Sequence, residues 1–143
     1  MRLSAKAEYA CLAVLELARH YGSPQPLSVK AIAQAHGIPQ RYLVQILLQL
    51  KGAGLVASAR GAGGGYALAQ PPGRITLAEV MQAIDGPLPS GHEPVASARS
   101  PGLAALCSVW NEVLQAERRL LESVTFDDLV RRLELPVGDM YVI

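Results

Sequence analysis

Apolar residues fill almost every position from Tyr9 to Leu15 within "SAKAEYACLAVLELARHY", residues 4–21. A helix that is apolar nearly all round must be buried on several sides, and Ser4 is placed to cap it. "GSPQP" at 22–26 ends that helix. Ser28 then caps a short helix through His36, Gly37 stops it, and Pro39 suits the first turn of the next. There Leu43, Ile46, Leu47 and Leu50 recur at helical spacing and predict a core stripe. Gln40, Arg41, Val44 and Gln45 fall on the opposite face. A short helix, a glycine turn and a second helix with polar residues near its start is the layout of a helix-turn-helix. A polar face by itself marks only exposure to solvent.

Beyond Gly54 the pattern changes period. "LVASAR" and "YALAQ" predict two short strands around a run of glycines, and "PPGR" closes the unit. Thr76 followed three residues later by Glu79 is a capping box that opens a helix to about Ile84. Residues 86–102 are rich in Pro, Gly and Ser and are expected to form a mobile loop. A longer helix follows from Leu103 to Val124. Its Leu103, Leu106, Trp110, Val113, Leu120 and Val124 alternate by three and four except where Glu117 intervenes, a seam suited to pairing with a second copy. Thr125 with Asp127 and Asp128 starts a last short helix.

The glycine run, "RGAGGGY" from Arg60 to Tyr66, admits three chemistries. A phosphate-cradling P-loop requires a lysine and a hydroxyl after its glycines, and neither is present. A dinucleotide fingerprint fails because its third glycine falls on Tyr66 and a strand follows where a helix is required. A hairpin tip remains, in which glycine permits positive φ and close approach of backbone to another surface. With Arg60 at its base and a helix-turn-helix upstream, the hairpin occupies the place of a wing whose tip fits a DNA minor groove. An ordinary flexible hairpin is the alternative.

Charge strengthens the nucleic-acid reading. The whole chain carries only +1, but residues 1–74 hold eight basic and two acidic side chains while residues 75–143 hold five basic and ten acidic ones. A half at +6 and a half at −5 suggest a basic working surface and an acidic assembly half. One Phe and one Trp leave a core of Leu, Ile, Val and Ala, which favours packed helices. Cys11 and Cys107 are too few and too far apart for a disulfide framework or a four-cysteine zinc site, and fit a reducing cytoplasmic setting. Lys6, Glu8 and Glu16 interrupt the first apolar run, so it reads as neither a signal peptide nor a membrane span. The expected fold is mainly α with a small β-hairpin. It divides into a winged helix-turn-helix domain at 1–85, a flexible loop at 86–102, which the family resemblance given below makes a sensor-type loop, and a dimerisation helix with a short terminal helix at 103–143.

The segments "MRLSAKAEYA", "IAQAHGIPQRYLVQILLQLKGAGLV", "ARGAGGGYAL", "ITLAEVMQAIDGP" and "VWNEVLQA…LLESVTFDDLV", in that order, resemble the IscR/NsrR/CymR family of bacterial winged-helix regulators, also called the Rrf family. The resemblance implies a dimeric transcription factor, expected to repress, whose two winged domains each read half of a palindromic operator. It places base contacts on Arg41, Tyr42 and Gln45, and a minor-groove arginine on Arg60. Adding the phosphate-facing cations and the hairpin, the candidate DNA-binding set is Arg2, Lys6, Ser28, Lys30, Gln40, Arg41, Tyr42, Val44, Gln45, Lys51, Arg60, Gly61, Gly63 and Gly64. The chain departs from the family pattern at Val44, where IscR has a glutamate that tunes site choice. An apolar valine there could touch a thymine methyl instead.

A second departure concerns cofactors. Many members of the family hold an iron-sulfur cluster on three cysteines before the long helix, the last falling nearer Ala104, whereas residues 86–106 here contain none. Cys107, His92 and Glu8 are the remaining candidate ligands, a set poor in thiolates, so no cluster is expected. Control by a small-molecule effector or by a partner protein docking on the acidic half stays open, as does a cluster with atypical ligands. An enzyme built on Cys107 and His92 lacks any group to orient the pair or stabilise an oxyanion.

Overall fold

The computed structural model describes residues 3–89 and 100–135. Helix α1 (Ala5–Arg19) begins where the Ser4 hydroxyl accepts the Ala7 N–H at 3.0 Å. Its buried face is mostly small, Ala7, Ala10, Ala13, Val14, Leu17 and Ala18, so neighbouring helices can come close to its backbone. α2 (Val29–His36), α3 (Gln40–Gly52), α4 (Leu77–Asp85) and α6 (Phe126–Leu133) all pack on α1, which therefore runs through the middle of the fold as its apolar pattern requires. The predicted stripe of Leu43, Ile46, Leu47 and Leu50 is fully buried in the same core.

Strands β1 (Val56–Ala59) and β2 (Gly65–Leu68) pair antiparallel with Val56 opposite Leu68 and Ala59 opposite Gly65. A short 3₁₀ turn (Pro72–Arg74) leads into α4, whose N-terminus carries the expected capping box between Thr76 and Glu79. Helix α5 (Pro101–Ser123) starts two residues earlier than its apolar seam suggests. Ser100 caps it by accepting the Leu103 N–H at 3.1 Å, and a proline loses nothing at a first helical position. Of the loop expected at 86–102, residues 90–99 lie outside the described ones.

The chain then turns back. Thr125 forms a second capping box, with Asp128, and the Thr76–Thr125 bridge joins the starts of α4 and α6 through Leu77 N–H to Val124 O (3.0 Å) and Phe126 N–H to Ile75 O (3.0 Å). Those bonds deliver Phe126, fully buried, into the core that contains α1. The Asp128 carboxyl is held below its ordinary value by the hydrogen bonds it accepts from Thr125.

One buried charge ties α1 to the helix-turn-helix. Glu16, 7% exposed, accepts from Arg19 Nη1 at 2.9 Å and lies 3.2 Å from His20 Nε2 and 3.1 Å from His36 Nε2, the last residue of α2. Burial pushes the Glu16 carboxyl up, but the Arg19 guanidinium and the bonds from His36, Arg19 and His20 outweigh it and hold the group below its ordinary value near 4.5. A depressed folded value means the carboxylate stabilises the fold above pH 4.5 and loses that contribution as pH falls through the folded value. Glu16→Gln is therefore expected to cost roughly 1.5–3 kcal/mol at neutral pH, the range for hydrogen bonds to a charged group. In urea denaturation the gap between variant and parent should close on acidification below pH 4.5; a gap that persists unchanged would show that charge is not the origin.

Candidate DNA-binding surface

The turn between α2 and α3 is built by Gly37, which takes φ +64 and donates to Ala33 O, a left-handed cap that side chains with a Cβ disfavour. Pro39 precedes α3 and gives no side-chain cap, so the leading N–H groups of that helix have no side-chain acceptor and carry the positive end of its dipole. Because the core stripe fixes the rotation of α3, Gln40, Arg41, Tyr42, Val44, Gln45 and Lys51 all emerge on the exposed side.

Two contacts orient this face. The ring of Tyr42 meets that of Tyr9 on α1 edge to face, with centroids 5.7 Å apart and planes at 78°, a favoured aromatic geometry. Lys51 Nζ donates to Ser58 Oγ of β1 at 2.8 Å, so the end of α3 is fastened to the base of the hairpin. The ammonium keeps further donors for a phosphate. Arg60 is exposed at the head of the turn that follows β1. Ser28 spends its hydroxyl on the Ala31 N–H at 3.0 Å as the cap of α2, while Lys30 is exposed and Lys6 half-buried. Arg2 lies outside the described residues.

The glycines of the hairpin divide by physical cause. Gly61 takes φ +99. Gly64 and Gly65 are required by close approach within the chain: a Cβ would stand 2.5 Å from Ala59 O at the first and 2.3 Å from Leu27 O at the second. Leu27 lies alongside Tyr66 in an antiparallel bridge, with N–H to O distances of 2.9 and 2.7 Å, and that bridge is what crowds Gly65. Only Gly63 among the three candidate tip glycines is free of both constraints, its nearest neighbour being Gln25 Oε1 at 3.7 Å.

The seam on α5 is laid open along one face, and no α5 residue is buried. Leu103, Leu106, Trp110, Val113 and Leu120 are exposed, Leu106 and Leu120 to 63%, while Val124 is half-buried. Val109, 55% exposed, belongs to the same face although the seam does not include it. Its signal is present, since Leu106, Val109 and Val113 follow the same three-and-four spacing. Leu121 does the reverse and packs on Ala78, Met81 and Leu88 of the chain's own α4 region. A second residue that the sequence pattern does not single out is Leu48, exposed on α3 in line with Arg41 and Val44.

The candidate ligands do not make a centre. Glu8 is exposed on α1, Cys107 is half-buried on α5, and His92 lies outside the described residues. No three His, Cys, Asp or Glu side chains converge among the described residues. The Cys11 thiol is pushed up to about 12, first by burial and then by Asp85 and Glu8. No helix among the described residues is long and apolar enough to cross a membrane.

Comparison with known proteins agrees with this geometry. The model of the family Rrf2, described as "Iron-dependent Transcriptional regulator", matches residues 3–132. The chain is 34% identical over 141 residues to the regulator IscR of Xenorhabdus nematophila, covering 97% of this chain and 85% of that one. Among solved structures it is similar to CymR of B. subtilis, called there the global cysteine regulator, with a TM-score of 0.82, 34% identity and coverage of 92% and 97%. IscR of T. potens gives a TM-score of 0.76 at 32% identity, over 99% and 97% of the two chains.

Proposed function

From the premise that this chain belongs to the Rrf2 family of winged-helix transcriptional regulators, and is a DNA-binding regulator and not an enzyme, we propose that it works as a homodimeric repressor of a palindromic operator. The observation that carries this reading is the Lys51–Ser58 bond. It joins the exposed Arg41 and Gln45 face of α3 to the hairpin bearing Arg60, so that a helix and a wing form one basic surface on the half of the chain with net +6. Arg41, Tyr42 and Gln45 read base edges in the major groove, Arg60 enters the minor groove, and Lys6, Lys30 and Lys51 neutralise phosphates.

The α5 face supplies the second copy. Exposed leucine, valine and tryptophan side chains spread along 23 helical residues form an apolar stripe that pairing with an identical stripe removes from water. To read a palindrome, two copies so joined need their recognition helices about 34–36 Å apart, one turn of DNA. Occupying a promoter in this way excludes polymerase, which is the basis for repression.

An iron-sulfur cluster does not fit the residues present. Cluster iron takes thiolate or imidazole at its corners, yet the two cysteines of this chain sit on separate helices, and Cys11 is held as the neutral thiol by burial beside carboxylates.

Selection of bound fragments from random duplex DNA, followed by native mass measurement of the complex, tests the proposal. Enrichment of an inverted repeat carrying two protein copies is expected. Recovery of no common sequence, or of one copy per duplex, would overturn it.

A further inference from the structure

The recognition helix presents two side chains that neither the core nor the charge of the surface accounts for. Val44 and Leu48 stand one turn apart on α3 and are 38% and 52% exposed, while Leu43, Ile46, Leu47 and Leu50 behind them are fully buried. Residues four apart on a helix share a face, so the two form one apolar strip. Arg41 lies a turn before it, Gln45 beside it and Lys51 a turn after it. No Asp or Glu occurs anywhere between Gln40 and Gly52.

Whatever covers this strip must be anionic at its edges and offer small apolar groups between them. A protein partner fits poorly, because a stable interface needs roughly 800 Å² from each side, far more than two side chains bracketed by cations supply. The major groove of duplex DNA fits: phosphates line its rims, and thymine exposes a C5 methyl on its floor. Spacing agrees as well. Four helical residues rise about 6 Å, close to two base steps at about 3.4 Å each.

We infer that Val44 and Leu48 are specificity-determining residues that read thymine methyl groups, so that each half-site carries two thymines about two base steps apart. The inference rests on the DNA-binding reading above and adds to it the identity of the bases. Arg41 and Gln45 supply hydrogen bonds to neighbouring purines, and the apolar strip rejects positions that lack a methyl.

The test uses the full chain and the operator recovered by selection. Each thymine is replaced singly by deoxyuridine, which removes the methyl and keeps the pairing edge. With the parent protein, two thymines per half-site should each weaken binding about fourfold on replacement, the factor that burial of one methyl-sized group gives. Leu48→Ala and Val44→Ala should each bind the thymine operator less tightly and become indifferent to deoxyuridine at one of the two positions. Val44→Thr, which exchanges one methyl of valine for a hydroxyl at nearly the same volume, leaves no gap and should still lose part of the deoxyuridine penalty at the position that Val44 reads. Deoxyuridine without effect at every position, or a full deoxyuridine penalty retained in the Val44 and Leu48 variants, overturns the inference while Arg41→Ala still weakens binding. If Arg41→Ala and Arg60→Ala are also without effect, the DNA-binding surface itself is misplaced and the inference falls with it.

Discussion

Replacing Arg41 and Arg60 together with alanine should lower operator affinity by about a hundredfold to a thousandfold at moderate salt, with the fold intact. A bidentate arginine on guanine contributes roughly 1–3 kcal/mol of discrimination, and removal of a minor-groove cation adds to it, each 1.4 kcal/mol being about tenfold in affinity. Both side chains are exposed, so removing them opens no cavity and the melting temperature should hardly move. The two residues also separate by salt. Arg60→Ala should flatten the dependence of log affinity on log salt by about one unit for each phosphate left without its cation, whereas Arg41→Ala should chiefly relax the choice of sequence at one base pair. Fluorescence anisotropy titrations of the single and double variants across a salt series measure both effects. Equal affinity for parent and double variant would remove this face of the molecule from consideration.

Gly65→Ala should destabilise the fold by roughly 3–5 kcal/mol, although it adds one methyl to a hairpin near the surface. The new Cβ would stand 2.3 Å from Leu27 O, 2.6 Å from its carbonyl carbon and 3.0 Å from Ser28 N. All three are backbone atoms, so no rotamer change relieves the clash. Strands must part, which breaks the two hydrogen bonds between Leu27 and Tyr66, worth about 1 kcal/mol each, and leaves overpacking strain of about 1–3 kcal/mol. Because Ser28 is the cap of α2, the shift also reaches the helix-turn-helix, and operator binding should fall with stability. Gly63→Ala is the control: its Cβ meets nothing nearer than 3.7 Å, so urea denaturation should find it neutral. Any drop in DNA affinity in that variant then reports approach of the hairpin tip to the duplex.

The two glycines illustrate where reading from sequence stops. "RGAGGGY" shows a hairpin whose tip tolerates few side chains, but which glycine serves a positive φ, which a close approach inside the chain and which remains open depends on Leu27 and Ala59 in space. The same division holds on α5. The spacing marks Leu106 and Leu120 as one seam, but that Val109 shares their exposed face and that Leu121 turns to Met81 is set by packing. On α3, Leu48 reads as one more leucine in an apolar run until the buried stripe fixes the rotation of the helix.

By itself the sequence determined the helix-turn-helix, the hairpin, the starts of most helices and the basic character of the first half. These are consequences of local chemistry: a cap, a proline, a glycine or an apolar period acts on residues within a turn or two of itself. Only the tertiary structure decided that Phe126 closes the core around α1, that Tyr9 braces Tyr42, that Glu16 holds His36, and that Lys51 locks the recognition helix to the hairpin. Each of these pairs brings together elements whose separation along the chain leaves no periodic trace, because packing of whole helices and strands sets which side chains meet.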